Sequence, residues 1–486
     1  RAYGLPKIHK TSFPLRPIIS NSDSPSSKLS KYLLPSLQPL SAHNTYDIQN
    51  SFQFIEKIKK LSIPSNHIMI SLDAVSLFTN VPTDKALELI QKNWTFIHPH
   101  TSLPQNIFLH SLSLCCKAGY FVFMHKFHRQ IDGLAMGNCL SPIIANIVMN
   151  DLIDSVLPSL QNSISSIFKY VDDLFLTINP DHISNILQTF NSYHPRIQFT
   201  LETEKDNKIA FLDTLIIRNH DNTFTYNWYS KPTYSGRLLH FLSDHPLHQK
   251  INTIKNLYKR AIHLSDPSFH LDNTKKVKEI LINNDYPIHL ISKTIKNYTN
   301  KPPSHNPQNI PPNTNTEPPI YHSLTFINPI SNKINTILQN FIPNLRTGFS
   351  PINKLNRLFS KIKDPIEKTN KTHTVYKLQC TTPNCDACYI GESKQFLHKR
   401  LRQHELDIIN KKTDSTALSK HVLTYNHTID FSNPSILTTY PNHSKRLLSE
   451  SLQIHLHPNS INYKKDKKII TSTYNNIFLS LNKNVH

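Results

Sequence analysis

The sequence predicts an α+β chain of more than one domain, on three observations. Apolar, strand-like runs carrying isolated carboxylates alternate with helical patterns through residue 300. A Pro- and Asn-rich break follows over 301–322. Beyond it, Cys and His residues cluster among short strand and helix patterns. At 486 residues the chain has room for more than one hydrophobic core.

Composition narrows the class. Lys and Arg number 54 against 33 Asp and Glu, a formal net charge of +21, and the pI is about 9.5. The basic residues are spread along the chain, so a polyanionic partner is expected, most simply nucleic acid. No run of 18 apolar residues occurs, and no membrane span is expected. No secretory signal is visible. The chain opens at Arg1, inside what reads as a motif, which suggests that an N-terminal segment is missing. Cys115, Cys116 and Cys139 lie in apolar context and read as core, whereas Cys380, Cys385 and Cys388 cluster as metal ligands do. That usage fits a reducing compartment.

From the N-terminus, Tyr3–Lys10 is held extended by Gly4 and Pro6, and Lys7, Lys10 and Arg16 can face a phosphate chain. Helices are expected over Leu29–Leu40 and Ile48–Leu61. Ile68–Phe78 is a strand carrying Asp73, a charge that needs a partner if buried, and Phe78 can wall a sugar pocket. Phe121–Met124 and Lys126–Ile131 suggest a hairpin. The Gly133–Pro142 segment opens a helix from Ile143 to about Leu157. Ser141 is its expected N-cap, Pro142 lies in its first turn, and Gly137 admits another backbone or a base.

Phe168–Leu176 is a hairpin with Asp172 and Asp173 at its tip. Adjacent carboxylates repel unless a cation neutralises them, and oxygen ligands favour Mg²⁺. A helix over Asp181–Tyr193, strands at Ile197–Leu201 and Lys208–Arg218, and a returning strand with Phe224, Tyr226 and Trp228 complete this part. Leu247–Asn297 is helical and Lys-rich. Ser323–Lys363 reads as a basic helical connector able to bind nucleic acid.

In the C-terminal part, Thr374–Leu378 is a strand. Cys380, Cys385 and Cys388 and then Tyr389-Ile390-Gly391 follow, with a helix over Lys394–Ile409 carrying Arg400 and His404 at i,i+4. A second helix over Thr416–Leu423 holds His421, with His427 after it, and a third from Ser444 carries Glu450.

The ordered set of an Asp73 strand, a Gly-Ser-Pro helix and Tyr170-Val171-Asp172-Asp173 resembles the palm of reverse transcriptases. Tyr3–Lys10, the Ser71–Pro82 run and Phe211–Ile216 look more narrowly like Penelope-like retroelements, whose polymerase is related to telomerase. The resemblance implies a right-hand polymerase, with fingers and palm over 1–242 and a thumb over 243–300. It implies transfer of a nucleotide from dNTP to a primer 3′-hydroxyl on two Mg²⁺ ions held by Asp73 and Asp172, with Asp173 beside them. Lys7 and Arg16 match triphosphate-binding residues, and Phe78 matches the steric gate against a 2′-hydroxyl. Trp228, Lys231 and Arg237 fall in the primer grip, and Lys205 or Lys208 would protonate pyrophosphate. The Gly137 loop carries Ala-Met-Gly where many relatives carry Pro-Gln-Gly.

Residues 373–457 resemble the GIY-YIG nuclease fold, a small α/β domain expected here over 372–470, after a 323–371 connector and before a 471–486 tail. Thr374 replaces the first Gly of that motif. The resemblance implies that Glu450 holds one Mg²⁺, Arg400 stabilises the scissile phosphate, Tyr376 and Tyr389 position or deprotonate water, and His404 is a further acid/base. Cys380, Cys385, His421 and His427 would bind Zn²⁺, with Cys388 able to replace Cys385. The pair of domains implies DNA nicking coupled to reverse transcription of an RNA template in the nucleus. A telomere-end polymerase without nicking, or a copy that only binds nucleic acid, stays open.

Overall fold

A computed structural model describes residues 2–8, 13–21, 24–41, 44–123, 126–300, 319–351, 355, 358 and 366–463. Lys10, Met124, positions 301–318 of the linker, much of 352–365 and the 471–486 tail lie outside the described residues. The chain divides into two compact units, Arg1–Asp364 and Pro365–His486.

In the first unit, β1 (Ala2–Pro6) and β2 (Leu15–Ile19) pair antiparallel. Helices α1 (Ser27–Leu37) and α2 (Ser51–Ile58) follow. The side chain of Asn50 starts α2 by accepting the Gln53 N–H. Then come β3 (Ile68–Ala74), α3 (Leu77–Asn80), α4 (Thr83–Lys92), α5 (Trp94–Ile97) and α6 (Gln105–Lys117). A hairpin of β4 (Tyr120–Phe123) and β5 (Lys126–Arg129) precedes α7 (Ser141–Leu160).

The next elements are β6 (Ile164–Tyr170), β7 (Asp173–Ile178), α8 (Ile183–Ser192) and β8 (Phe199–Thr203). They build a four-stranded antiparallel sheet in the order β6-β7-β3-β8. One core packs this sheet with α7, whose apolar residues Ile144, Val148, Leu152 and Ile153 are buried. By length and composition α7 alone among the described residues is apolar enough to cross a membrane. Its burial accounts for that character as core packing.

Strands β9 (Lys208–Phe211), β10 (Thr214–Arg218) and β11 (Phe224–Trp228) form a separate sheet. The single strand expected over Lys208–Arg218 is therefore two. Leu212, at φ 55, turns the chain between them. A second core joins this sheet to the four-stranded one and to α9 (Leu247–His263), α10 (His270–Ile282) and α11 (Ile288–Thr299). Phe54 is its hub, with ring centroids 5.7 Å from Phe168, 5.3 Å from Phe175 and 4.9 Å from Phe211. The Lys-rich stretch forms three helices because Ile254, Leu257, Tyr258 and Ala261 make a buried stripe at helical spacing on α9.

The expected helical connector is instead a β-α-β unit. Strands β12 (Ile320–Thr325) and β13 (Leu345–Ser350) run parallel, joined by α12 (Ile330–Phe341). Parallel strands require a crossover, and α12 supplies it.

In the second unit, β14 (Thr374–Gln379), β15 (Cys388–Ser393) and β16 (Ser435–Thr439) form a sheet in the order β15-β14-β16. Helices α13 (Leu397–Ile409), α14 (Ala417–Tyr425) and α15 (His443–Leu456) accompany it. A capping box of Thr416 and Ser419 opens α14, and the Asn442 side chain caps α15.

Candidate active sites

Three carboxylates meet at one edge of the four-stranded sheet. Asp73, the penultimate residue of β3, is in direct register with Asp173 at the start of β7. Tyr170 pairs with Asp173, so only Val171 and Asp172 make the turn between β6 and β7. Val171 has φ 57, a costly conformation of about 1–3 kcal/mol for a β-branched residue. The Asp172 carbonyl accepts the Ala74 N–H at 3.3 Å, tying the turn to the Asp73 strand.

The electrostatics follow from that convergence. Burial, and then Asp73, hold the Asp172 carboxyl above its ordinary range, while Arg16 and Lys7 pull the other way. Asp173 is pushed up to about 6 by burial, Asp172 and Asp73, against Lys231. Three hard oxygen donors that resist ionising together are the donor set a divalent cation of the Mg²⁺ class satisfies. Lys7, Arg16 and Lys231 ring the carboxylates with positive charge.

Beside them lies a cleft of about 600 Å³, lined in part by Arg16, Ile18, Lys31, Phe78, Met136 and Gly137. Its walls are joined by the 133–137 loop. Gly133 has φ 70, and a Cβ there would lie 2.3 Å from the Thr79 carbonyl oxygen. The next residue, Leu134, donates its N–H to the Phe78 carbonyl at 2.6 Å. A Cβ on Gly137 would lie 2.2 Å from the Ile19 carbonyl oxygen. The backbone admitted by Gly137 is thus this chain's own β2. Arg196 braces the loop, its Nη1 reaching Asp132 at 2.7 Å and its Nη2 donating to the Thr79 carbonyl at 3.0 Å.

Ser141 is not the cap expected of it. Its hydroxyl donates to the Ala135 carbonyl at 2.7 Å, closing the same loop, while Asn138 Oδ1 accepts the Leu140 N–H at 3.1 Å. In the expected primer grip, Trp228 is only 6% exposed and packs in the second core, with Lys276 Nζ 4.7 Å from its ring centroid. Lys231 and Arg237 are the exposed members. Trp228 and Lys231 both line a cleft of about 840 Å³, with Lys259 and Arg260 also on its wall. Lys205 and Lys208 are exposed and bonded to each other through their backbones.

In the C-terminal unit, Tyr376 of β14 faces Gly391 of β15 in register. A Cβ on Gly391 would meet the Tyr376 hydroxyl at 2.7 Å, which explains the glycine. Tyr376 and His404 Nε2 share a buried hydrogen bond of 2.8 Å. Burial and then Arg400 push the His404 imidazole down to about 4, so it is neutral at pH 7 and accepts from the phenol. Burial and then Tyr389 push the Tyr376 phenol far up, with Arg400 opposing and Glu450 adding to the rise. These four residues therefore surround Tyr376. Among the described residues, the buried Arg400 Nε and His404 Nδ1 have no hydrogen-bond partner. Buried donors left unmatched call for an acceptor that a bound ligand can supply.

Glu450 lies one turn after Arg446 on α15. Arg446 is buried, paired through Nε to Glu392 of β15, and donates from Nη1 to the Tyr440 carbonyl at 3.0 Å.

Cys380, Cys385, His421 and His427 place one ligand atom each within 4.8 Å of one another. Cys380 Sγ lies 3.6 Å from His427 Nδ1, Cys385 Sγ 3.8 Å from His421 Nε2, and the two His nitrogens are 3.1 Å apart. The edges of a tetrahedral zinc site are about 3.5 Å for S–N and about 3.3 Å for N–N, so the donor set fits a metal ion. Cys388 stands outside it, buried, with its Sγ 3.5 Å from Asn459 Oδ1.

Residues 8–234 match the family model for reverse transcriptase (RNA-dependent DNA polymerase). They form a reverse transcriptase domain. Residues 237–296, which hold α9–α11, match the animal helix-turn-helix domain. No curated protein matches the sequence. Among solved structures, telomerase from Candida albicans with a fragment of telomeric RNA is similar at 12% identity and a TM-score of 0.40, over 55% of this chain and 49% of that one. The Sicinivirus 3Dpol RNA-dependent RNA polymerase is similar at 15% identity and a TM-score of 0.32, over 51% and 54%. The RNA-dependent RNA polymerase of a human picorbirnavirus is similar at 10% and 0.36, over 59% and 54%. The chain thus spans about half the length of these structures.

Sequence reading missed several supports of the reverse transcriptase domain. Lys169, one residue before Tyr170, is buried and bonded to Asp47 and Asn146. A lone Lys in an apolar strand is the signal that could have found it, since a buried cation demands partners. Arg196 and, in the C-terminal unit, Arg446 carried no local signal.

Proposed function

We propose that the chain is an RNA-directed DNA polymerase of the Penelope-like class, joined to a GIY-YIG endonuclease that nicks DNA to provide the primer. The convergence of Asp73, Asp172 and Asp173 beside a basic cleft carries the polymerase reading. These carboxylates would hold Mg²⁺, which would activate the primer 3′-hydroxyl and stabilise charge on the transferring phosphate. Arg16 and Lys7 bind the triphosphate. Phe78, fixed by the Leu134 bond to its carbonyl, closes the sugar pocket against a 2′-hydroxyl. Lys231 and Arg237 meet the primer strand. The helix-turn-helix match over α9–α11 supports duplex binding by the same unit.

The cluster of Tyr376, Tyr389, Arg400, His404 and Glu450 supports the nuclease reading. Glu450 would hold Mg²⁺, and Arg400 Nε would receive the scissile phosphate. Tyr376 stays a phenol at neutral pH, and neutral His404 is placed to accept its proton. Cys380, Cys385, His421 and His427 would hold a structural Zn²⁺. Nuclear action follows from a chromosomal DNA target.

Primer extension on an RNA template with dNTPs and Mg²⁺, scored beside nicking of supercoiled plasmid, tests both halves. Asp172→Ala abolishes extension and spares nicking, whereas Glu450→Ala does the reverse. Extension that survives Asp172→Ala would refute the polymerase assignment. Nicking that survives Glu450→Ala would refute the nuclease assignment.

A further inference from the structure

The hairpin β4–β5 leaves several large apolar side chains exposed, although Phe121 and Val122 are half-buried. Phe127 is 86% exposed and Ile131 84%, and Tyr120 and Phe123 are also exposed. Single exposed apolar residues are ordinary, but an aromatic series on one two-stranded element is not. A two-stranded hairpin is marginal without packing on its faces, so this one is built to be covered.

The register sorts its side chains onto two faces. Tyr120 opposes Arg129 and Val122 opposes Phe127 on one. Phe121 opposes His128 and Phe123 opposes Lys126 on the other. The Phe121 and His128 rings are stacked, 5.4 Å apart at 20°. One face thus carries Tyr120 and Phe127 with Arg129, and the other carries Phe121 and Phe123 with Lys126 and His128. From Gly119 to Ile131 there is no Asp or Glu. Aromatic faces interleaved with fixed positive charge match the two components of a nucleic acid strand, bases and phosphates. Unpaired bases are needed for stacking, which selects a single strand over a duplex.

Placement narrows the occupant. The hairpin is closed by the Gln130 N–H bond to the Gly119 carbonyl at 2.9 Å. Three residues later, Gly133 begins the loop that lines the cleft, and Asp132 between them is held by Arg196. On its other side β4 packs against β1, the strand that leads into Lys7. A strand leaving the cleft between the Gly133 loop and β1 therefore meets this hairpin first. We infer that β4–β5 is a stacking platform for the single-stranded RNA template ahead of the polymerising site. This rests on the polymerase reading above, which it extends from chemistry to template handling.

The test uses the full chain and two RNA–DNA primer-templates, one blunt and one with a 5′ single-stranded RNA overhang, with binding read by fluorescence anisotropy. Phe127→Ala should weaken binding to the overhang substrate by about 5- to 150-fold, the range for one lost base stack, and leave blunt-substrate affinity unchanged. Phe127→Tyr should restore the overhang affinity. Lys126→Gln with Arg129→Gln should lower the salt slope for the overhang substrate by about 1.4, at about 0.7 per lost phosphate contact.

Because Phe127 is exposed, its melting curve should match wild type, which separates binding from folding. Equal overhang affinity in Phe127→Ala and wild type overturns the platform. So does loss of self-association in Phe127→Ala with RNA affinity intact, which would give the face to a second copy of the chain. Primer extension by wild type in the same buffer reports separately on the polymerase reading, so the two can fail independently.

Discussion

Lys169 and Asp47 form a buried ion pair at 2.9 Å directly behind the Asp172–Asp173 turn. Lys169 is 2% exposed and Asp47 9%. The Lys169 ammonium also reaches Asn146 Oδ1 at 2.7 Å and Asn150 on α7. Burial lowers its pKa while Asp47 opposes that fall. The pair ties β6 to the segment before α2 and to α7. Removing one partner strands a charge, which typically costs about 3–5 kcal/mol. Lys169→Met should therefore destabilise the chain by that amount in a denaturant melt, and adding Asp47→Leu should recover most of it. A single-mutant melt equal to wild type would show that the pair is dispensable.

Gly137 leaves no room for a side chain against the Ile19 carbonyl. Gly137→Ala should force β2 away from the loop and move Arg16 relative to Phe78. An ångström of misplacement can cost about 100-fold in rate. We expect kcat/KM for dNTP to fall about 10- to 100-fold, with little change in nicking. Steady-state extension at varied dNTP measures it, and an unchanged kcat/KM would place the loop outside the nucleotide site.

His404 supplies a pH dependence whose sign is set by burial. Its folded pKa, about 4, lies below the ordinary value of 6.5. Between these values the unfolded chain binds more protons than the folded one, so the C-terminal unit gains stability as pH rises from about 4 to about 6.5. Below that window the contribution is gone. Hydrogen exchange of the peptide spanning β14 and β15 should quicken as pH falls through it, after correction for intrinsic rates. His404→Gln should flatten this profile. An NMR titration placing the His404 pKa near 6.5 would contradict the buried, neutral ring.

The metal site discriminates between two cysteines. Purified chain should carry about one zinc ion per molecule at the four-ligand cluster. Cys385→Ser should lose it, whereas Cys388→Ser should keep it, because Cys388 sits against Asn459. A chelator that strips the metal should loosen the Cys380–His427 region first in limited proteolysis. Zinc content unaffected by Cys385→Ser would reassign the ligand set.

Much of both sites was legible from local pattern. Asp73 on an apolar strand, Asp172 and Asp173 in a turn between strand formers, and Gly137 in a Gly-poor chain were each visible as chemistry that needs a partner. Gly391 and the Cys and His cluster were visible too, whereas Tyr376 was singled out by the resemblance to the GIY-YIG fold. These signals survive in sequence because they depend on a few neighbouring residues and on strand or helix period. The helices α4–α6 and the parallel pair β12–β13 were not read, since short apolar runs do not distinguish a buried helix from a strand.

Local pattern along the chain sets which groups are available: the order of carboxylates, the metal-ligand types and the positive charge. Tertiary structure alone decided which of them meet. It set Asp73 opposite Asp173, chose Cys385 over Cys388, and gave Gly137 the Ile19 backbone as neighbour. It also buried Trp228, and supplied Lys169 with Asp47 and Arg446 with Glu392. The reason is physical. Spacing along the chain fixes contacts only within one element, whereas residues such as Asp47 and Lys169 are brought together by the packing of whole helices and sheets.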